Sequence, residues 1–263
     1  MQNLIKKGAA SMEDTETKMK SLGKSLSLLN CFIEKQPLGI TDICKITGLN
    51  KSNVHDILST FVDMKYLIKD PDTRKYSLGI NALRLGRAAG KNITLWDVAS
   101  VRIREVANIV NETVFFAIPF ERYAFYADIA MPGEVRTPSI TRLYDVDELH
   151  SVACGKAILA FMPESFIEEY LSVPLTRYTE YTVCDPDQLR LELLQTRRKG
   201  YARAFMDRTL GICSVAVPIF GGKGEVLGSI SISGSSFTVT EDKVQDYALL
   251  LRANAESISA SMY

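Results

Sequence analysis

The sequence predicts an α+β fold in two parts: a small helical unit closed by a hairpin, then a larger unit around a six-stranded sheet. Three observations point there. Residues 21–79 read helix, helix, helix, hairpin. Residues 92–263 read as two runs of three strands with helices between and around them, not as the β-α-β alternation of a doubly wound sheet. Charge divides at nearly the same place: residues 1–90 hold 14 Lys and Arg against 9 Asp and Glu, and residues 91–263 hold 17 against 22, while the whole chain of 263 residues is neutral. A basic small part beside an acidic large one suggests that the first meets a polyanion.

The elements follow in order. Residues 1–20 carry Lys6 and Lys7 without an apolar run, so a mobile tail is expected there and not a secretory signal. In SLGKSLSLLNCFIE, Leu22, Leu26, Leu29 and Ile33 share one helical stripe, with Ser21 placed to cap it. Pro37 and Gly39 break that helix. Thr41 is placed to cap a short second helix, which Gly48 ends. In KSNVHDILSTFVDMKYL, Val54, Ile57, Leu58, Phe61 and Met64 follow the helical i, i+3, i+4, i+7 rule, and Ser52, Asn53 and Asp56 lie opposite. Two strand-like runs then flank the turn Asp70-Pro71-Asp72-Thr73. Short second helix, tight Gly48-Leu49 turn, amphipathic third helix and hairpin together are the order of a winged helix-turn-helix.

Residues 80–91, with Leu83 and Leu85, predict a linker helix. The second unit opens with a helix at Leu95–Asn111. Strands are expected at Thr113–Pro119, Arg122–Ala130, Val135–Ile140, Tyr201–Phe205, Ile212–Phe220 and Val226–Ser233. Helices are expected at Gly155–Phe161, Glu164–Leu171, Pro186–Lys199 and Thr240–Ser259.

Composition and motifs exclude several classes. With 46% hydrophobic and 24% charged residues, the chain is neither wholly disordered nor collagen-like. No apolar stretch approaches the ~18 residues of a membrane helix, so no membrane partner is expected. Five scattered cysteines without C-x-x-C spacing exclude a disulfide scaffold or zinc ribbon and fit a reducing cytoplasm. Gly155-Lys156-Ala157 and Gly222-Lys223-Gly224 lack the hydroxyl of a phosphate-binding loop. The run Gly228–Gly234 lacks the spacing of a nucleophile elbow. The two histidines, His55 and His150, have no second ligand nearby in sequence, so no metal or cofactor is expected. One pairing stays open: Cys154 follows His150 by four residues, and a thiol beside an imidazole can be a nucleophile.

Two binding constellations remain. At the start of the third helix, Lys51 and Ser52 are placed to grip phosphate at free N–H groups, and Asn53 and His55 to reach base edges or sugars in the major groove. Arg74 and Lys75 sit where a wing touches the backbone or minor groove. In the strand Gly228–Gly234, Ser229, Ser231 and Ser233 alternate with Ile230 and Ile232, so three hydroxyls share one face.

The stretch from Leu22 to Gly79 resembles the DNA-binding domain of the IclR (isocitrate lyase regulator) family of bacterial transcription regulators. The family's Leu-x-Lys-Ser-Thr-Val-His-Arg is similar to Leu49-Asn50-Lys51-Ser52-Asn53-Val54-His55-Asp56 here. The resemblance continues through His150–Ala157, Gly200-Tyr201, Gly211-Ile212, Val217–Phe220 and Ser231–Gly234, in order, over nearly the whole chain. It implies a dimeric or tetrameric repressor or activator of catabolic or transport genes. It also implies a GAF-like second domain that takes a small organic acid near Ala153, Cys154, Gly155, Ser214, Ser231 and Ser233, with 1–20, 21–79, 80–91 and 92–263 as tail, DNA-binding domain, linker and effector domain. Two departures stand out. Asp56 replaces the usual arginine and either docks differently or accepts from a cytosine amino group. Arg203-Ala204-Phe205-Met206-Asp207 replaces the family's acidic cluster and Ser214 its usual cysteine, so pocket polarity is altered, and Arg203 would either suit an anion or simply face water. The competing expectations are an enzyme using Cys154, or a DNA-binding protein whose second domain only oligomerises.

Overall fold

The structure, a computed structural model, describes residues 18–91, 94–133 and 141–262. It divides into two compact units between residues 92 and 93. The expected strand Val135–Ile140 and the expected tail up to residue 17 lie outside the described residues.

The first unit runs α1 (Lys20–Glu34), α2 (Ile40–Thr47), α3 (Lys51–Asp63), β1 (Leu67–Lys69), β2 (Tyr76–Leu78) and α4 (Ile80–Lys91). Its core holds Leu28, Phe32, Leu38, Ile43, Val54, Leu58, Leu67 and Tyr76. On α1 the buried pair is Leu28 and Phe32, whereas Leu22, Leu26 and Ile33 of the expected stripe stay 46–63% exposed. The helix carries two apolar stripes, and the one with the large Phe32 fills the core. Its N-cap is Met19, so Ser21 lies inside the first turn. The second helix begins one residue before Thr41: the Gly39 N–H donates to Asp42 Oδ2 at 3.2 Å. Gly48, at φ 69°, closes it in the left-handed region that glycine adopts at little cost. Asn50 caps α3 by accepting the Asn53 N–H at 2.9 Å. In the hairpin Leu67 faces Leu78 and Lys69 faces Tyr76. Asp70 Oδ1 stiffens its turn by accepting the N–H groups of Asp72 and Thr73 at 3.0 and 2.7 Å. Leu38 exchanges backbone bonds with Tyr76 and adds a third strand stub.

The second unit runs α5 (Thr94–Val110), β3 (Thr113–Phe120), β4 (Tyr123–Ala130), β5 (Val146–Glu148), a 3₁₀ turn (Leu149–Ser151), α6 (Ala153–Leu159), α7 (Glu164–Leu171), α8 (Pro186–Lys199), β6 (Ala202–Phe205), β7 (Ile212–Phe220), β8 (Val226–Ser235) and α9 (Val244–Ala260). Its six described strands lie in the order β5-β4-β3-β8-β7-β6, each pair antiparallel. Alternation splits β3, β4 and β8 between two cores. Val114, Phe116, Val215, Val217, Ile230 and Ile232 pack with α5 and α9. Phe115, Ala117 and Tyr126 pack with residues of α6, α7 and α8 on the other face. The sheet curls: β5 and β6 are its opposite edges, yet Asp147 of β5 meets Arg208, just beyond β6, at 2.7 Å.

Candidate functional site

In the first unit the side chains of Lys51, Ser52, Asn53, His55 and Asp56 are exposed along α3, while Val54 and Leu58 are buried and fix the helix to the core. The Asn50 cap takes the Asn53 N–H, and the N–H groups of Lys51 and Ser52 at the helix start have no intrahelical acceptor. Asp56 is 78% exposed, with its carboxylate 3.7 Å from His55 Nδ1. Arg74 and Lys75 are exposed in the hairpin turn, Arg74 at φ 56°.

In the second unit the serine face of β8 meets α6. Ser229 is spent on structure, its hydroxyl donating to the Cys154 carbonyl at 3.1 Å. The Cys154 thiol donates to Ser231 Oγ at 3.0 Å. Beside this contact lies a cavity of about 60 Å³. Of the residues expected there, Ala153, Cys154, Ser214, Ser231 and Ser233 line it. Gly155 does not. A Cβ on it would stand 2.3 Å from the Leu149 carbonyl oxygen, so this glycine is what lets α6 lie against the 3₁₀ turn.

Two charged residues of the wall, Asp147 and Arg208, escaped sequence reasoning, whereas Asp207 belongs to the segment expected to alter the pocket's polarity. Asp147, Arg208 and Asp207 line the cavity with Tyr126 and Phe115. Arg208 Nε donates to Asp147 Oδ1 at 2.7 Å, and the Tyr126 hydroxyl donates to Asp147 Oδ2 at 3.1 Å. Burial pushes the Asp147 carboxyl above its ordinary value, against the pull of Arg208. Burial alone would lower the Arg208 pKa, but Asp147 outweighs it and the pKa is raised. The guanidinium also lies 4.0 Å from the centre of the Tyr178 ring. Asp207 is held by Lys156, whose buried ammonium reaches Asp207 Oδ2 at 2.6 Å and Glu192 Oε2 at 2.7 Å. Arg203 is not the cavity's cation: it is half exposed and paired with Glu241. No periodicity joins residues 147 and 208, because only the curl of the sheet brings its edges together.

The geometry also argues against thiol chemistry. Burial pushes the Cys154 thiol up to about 11, so it stays protonated and poorly nucleophilic. His150 is turned to other partners: its Nε2–H donates to the Thr176 carbonyl at 3.0 Å, and Nδ1 lies 2.8 Å from the Tyr170 hydroxyl. Among the described residues no cluster of three His, Cys, Asp or Glu is placed to hold a metal ion. No described helix is long and apolar enough to cross a membrane.

Comparison with known proteins covers both units. Residues 21–71 match the IclR helix-turn-helix domain, and residues 88–260 match the domain described as bacterial transcriptional regulator IclR C-terminal. The HTH-type transcriptional regulator KdgR of Escherichia coli (strain K12) is 28% identical over 255 residues, 96% of each chain. The HTH-type transcriptional regulator KipR of Bacillus subtilis (strain 168) is 28% identical over 246 residues, 89% of this chain and 96% of its own. Among solved structures, the Thermotoga maritima IclR superposes with a TM-score of 0.76 at 28% identity, covering 93% of this chain and 99% of its own. A regulator from Silicibacter sp. TM1040 gives 0.80 at 26%, covering 92% and 96%. These relatives are transcription regulators, not enzymes. With a helix-turn-helix unit followed by an effector-type unit, both matched in order, the chain belongs to the IclR family of bacterial transcription regulators.

Proposed function

We propose that this regulator answers to a small organic acid held in the cavity beside Cys154 and Ser231, and that occupation of the cavity changes its grip on an operator controlling catabolic or transport genes. The observation that carries the reading is the cavity itself, which gathers five of the six residues expected to meet an effector and adds a cation, Arg208. Residues 21–79 form the DNA-binding domain in this reading, 80–91 the linker and 92–263 the effector domain. Lys51 and Ser52 hold phosphate; Asn53, His55 and Asp56 face the bases; Arg74 and Lys75 touch the backbone from the wing. The protein works in the cytoplasm as a homodimer or homotetramer. Leu22, Leu26 and Ile33 of α1 and Ile80 and Leu83 of α4 are exposed apolar side chains that a second copy would cover.

A gel shift on the DNA upstream of its own gene tests the reading. Retardation is expected, with a change on adding short organic acids. Retardation that no acid alters favours a second unit that only oligomerises, and no retardation overturns the operator.

A further inference from the structure

We infer that Arg208 is the residue that selects the effector, and that the effector is a short hydroxy-acid carrying one carboxylate, not two. This rests on reading the cavity as the effector site. The inference starts from how the wall's charges are spent. Each Asp147 oxygen already accepts a bond, one from Arg208 Nε and one from the Tyr126 hydroxyl, so this carboxylate orients the guanidinium. The Tyr178 ring supports the guanidinium from one side at 4.0 Å. Among the described residues nothing accepts from the Nη nitrogens of Arg208, and these present the paired donors that match a carboxylate's two oxygens.

The second cation near the wall is already committed, because Lys156 is closed off between Asp207 and Glu192. A ligand's first carboxylate therefore meets unspent donors. A second would find no unspent cation: the other charges of the wall are the carboxylates of Asp147 and Asp207, already paired with Arg208 and Lys156 and unable to donate to it. Hydroxyls also line the wall, among them those of Ser214, Ser231, Ser233 and Thr209, which donate to and accept from a ligand hydroxyl. A volume of about 60 Å³ restricts the ligand to a few carbons. Arg208 also ties together the two edges of the curled sheet, so a ligand on its Nη atoms acts directly on the contact that closes the unit.

Three probes that share a three-carbon skeleton separate the possibilities: glycerate, with one carboxylate; tartronate, with two; and glycerol, with none. Calorimetric titration of the full chain is expected to show binding of glycerate and not of tartronate or glycerol. Arg208→Gln should weaken glycerate at least about tenfold, the loss of one charged hydrogen bond, while Arg203→Gln outside the cavity leaves it unchanged. Arg208→Gln leaves the Asp147 carboxylate unpaired, so the Asp147→Asn/Arg208→Gln double variant is measured beside it and should lose binding equally. Ser214→Leu, which fills the cavity from its half-buried wall, should abolish binding. Glycerate failing to bind the unmodified chain, or tartronate binding as tightly, overturns the ligand class. Binding lost in Ser214→Leu but intact in both Arg208 variants overturns Arg208 as the selector and leaves the cavity as the site. Binding intact in all of them overturns the cavity reading itself.

Discussion

Single residues show how one side chain type takes different roles in different surroundings. Among the carboxylates, Asp70 stiffens a turn, Asp207 is neutralised by a buried lysine, and Asp147 aims an arginine. Asp56 is different: exposed on α3, its carboxylate lies 3.7 Å from Nδ1 of its neighbour His55. Changing Asp56 to Arg removes a repulsion toward phosphate and adds a donor. Affinity for random duplex should rise by about 1–3 kcal/mol and discrimination should narrow. Titrations on operator and scrambled duplex at one salt concentration check this, and a rise confined to the operator contradicts it. His150 gives a pH prediction. Burial holds its pKa below 6.5, so between that lowered value and 6.5 the unfolded chain binds the proton more readily than the folded one. Its contribution to stability is whole above that window and is lost as pH falls through it. Denaturant melts from neutral to mildly acid pH should show the unmodified chain losing more stability than His150→Gln, and equal losses would contradict the assignment.

At the scale of elements, much of the molecule was legible in periodicity. The α3 face, the hairpin and the long strands β7 and β8 follow from 3.6-residue and 2-residue repeats, and the serine face of β8 follows from strict alternation. The failures have physical causes. The three-residue strand β5 is too short to show alternation and exists because β4 offers it an edge. The burial of α1 could not be chosen between two apolar stripes without knowing the shape of the core. Gly155 looked like part of a binding loop, but its Cβ position is occupied by Leu149 backbone, which is a packing demand. Gly155→Ala should therefore lower stability by about 1–3 kcal/mol or more, because backbone cannot yield as a flexible side chain can. An unchanged denaturant midpoint would refute this.

At the scale of the whole molecule, the Asp147–Arg208 pair of the candidate site was invisible because it is a product of closure. Asp147 and Arg208 belong to opposite sheet edges, and they become neighbours only when the sheet has curled around α6. The exposed leucines of α1 predict assembly. Light scattering at micromolar concentration should give two or four times the 29.3 kDa of one chain, and a mass of one chain would contradict it. Assembly and ligand response meet in one quantity, the coupling between cavity and operator. Coupling of this kind is typically worth about 1–3 kcal/mol, or roughly 5- to 150-fold in affinity. The direct measurement is an anisotropy titration of operator DNA by the full chain, with and without glycerate, for the unmodified protein and for Ser214→Leu. A change of operator affinity within that range, absent from Ser214→Leu, is the predicted result. An operator affinity that bound glycerate leaves unchanged, or changes equally in both proteins, would contradict a regulator governed from this cavity.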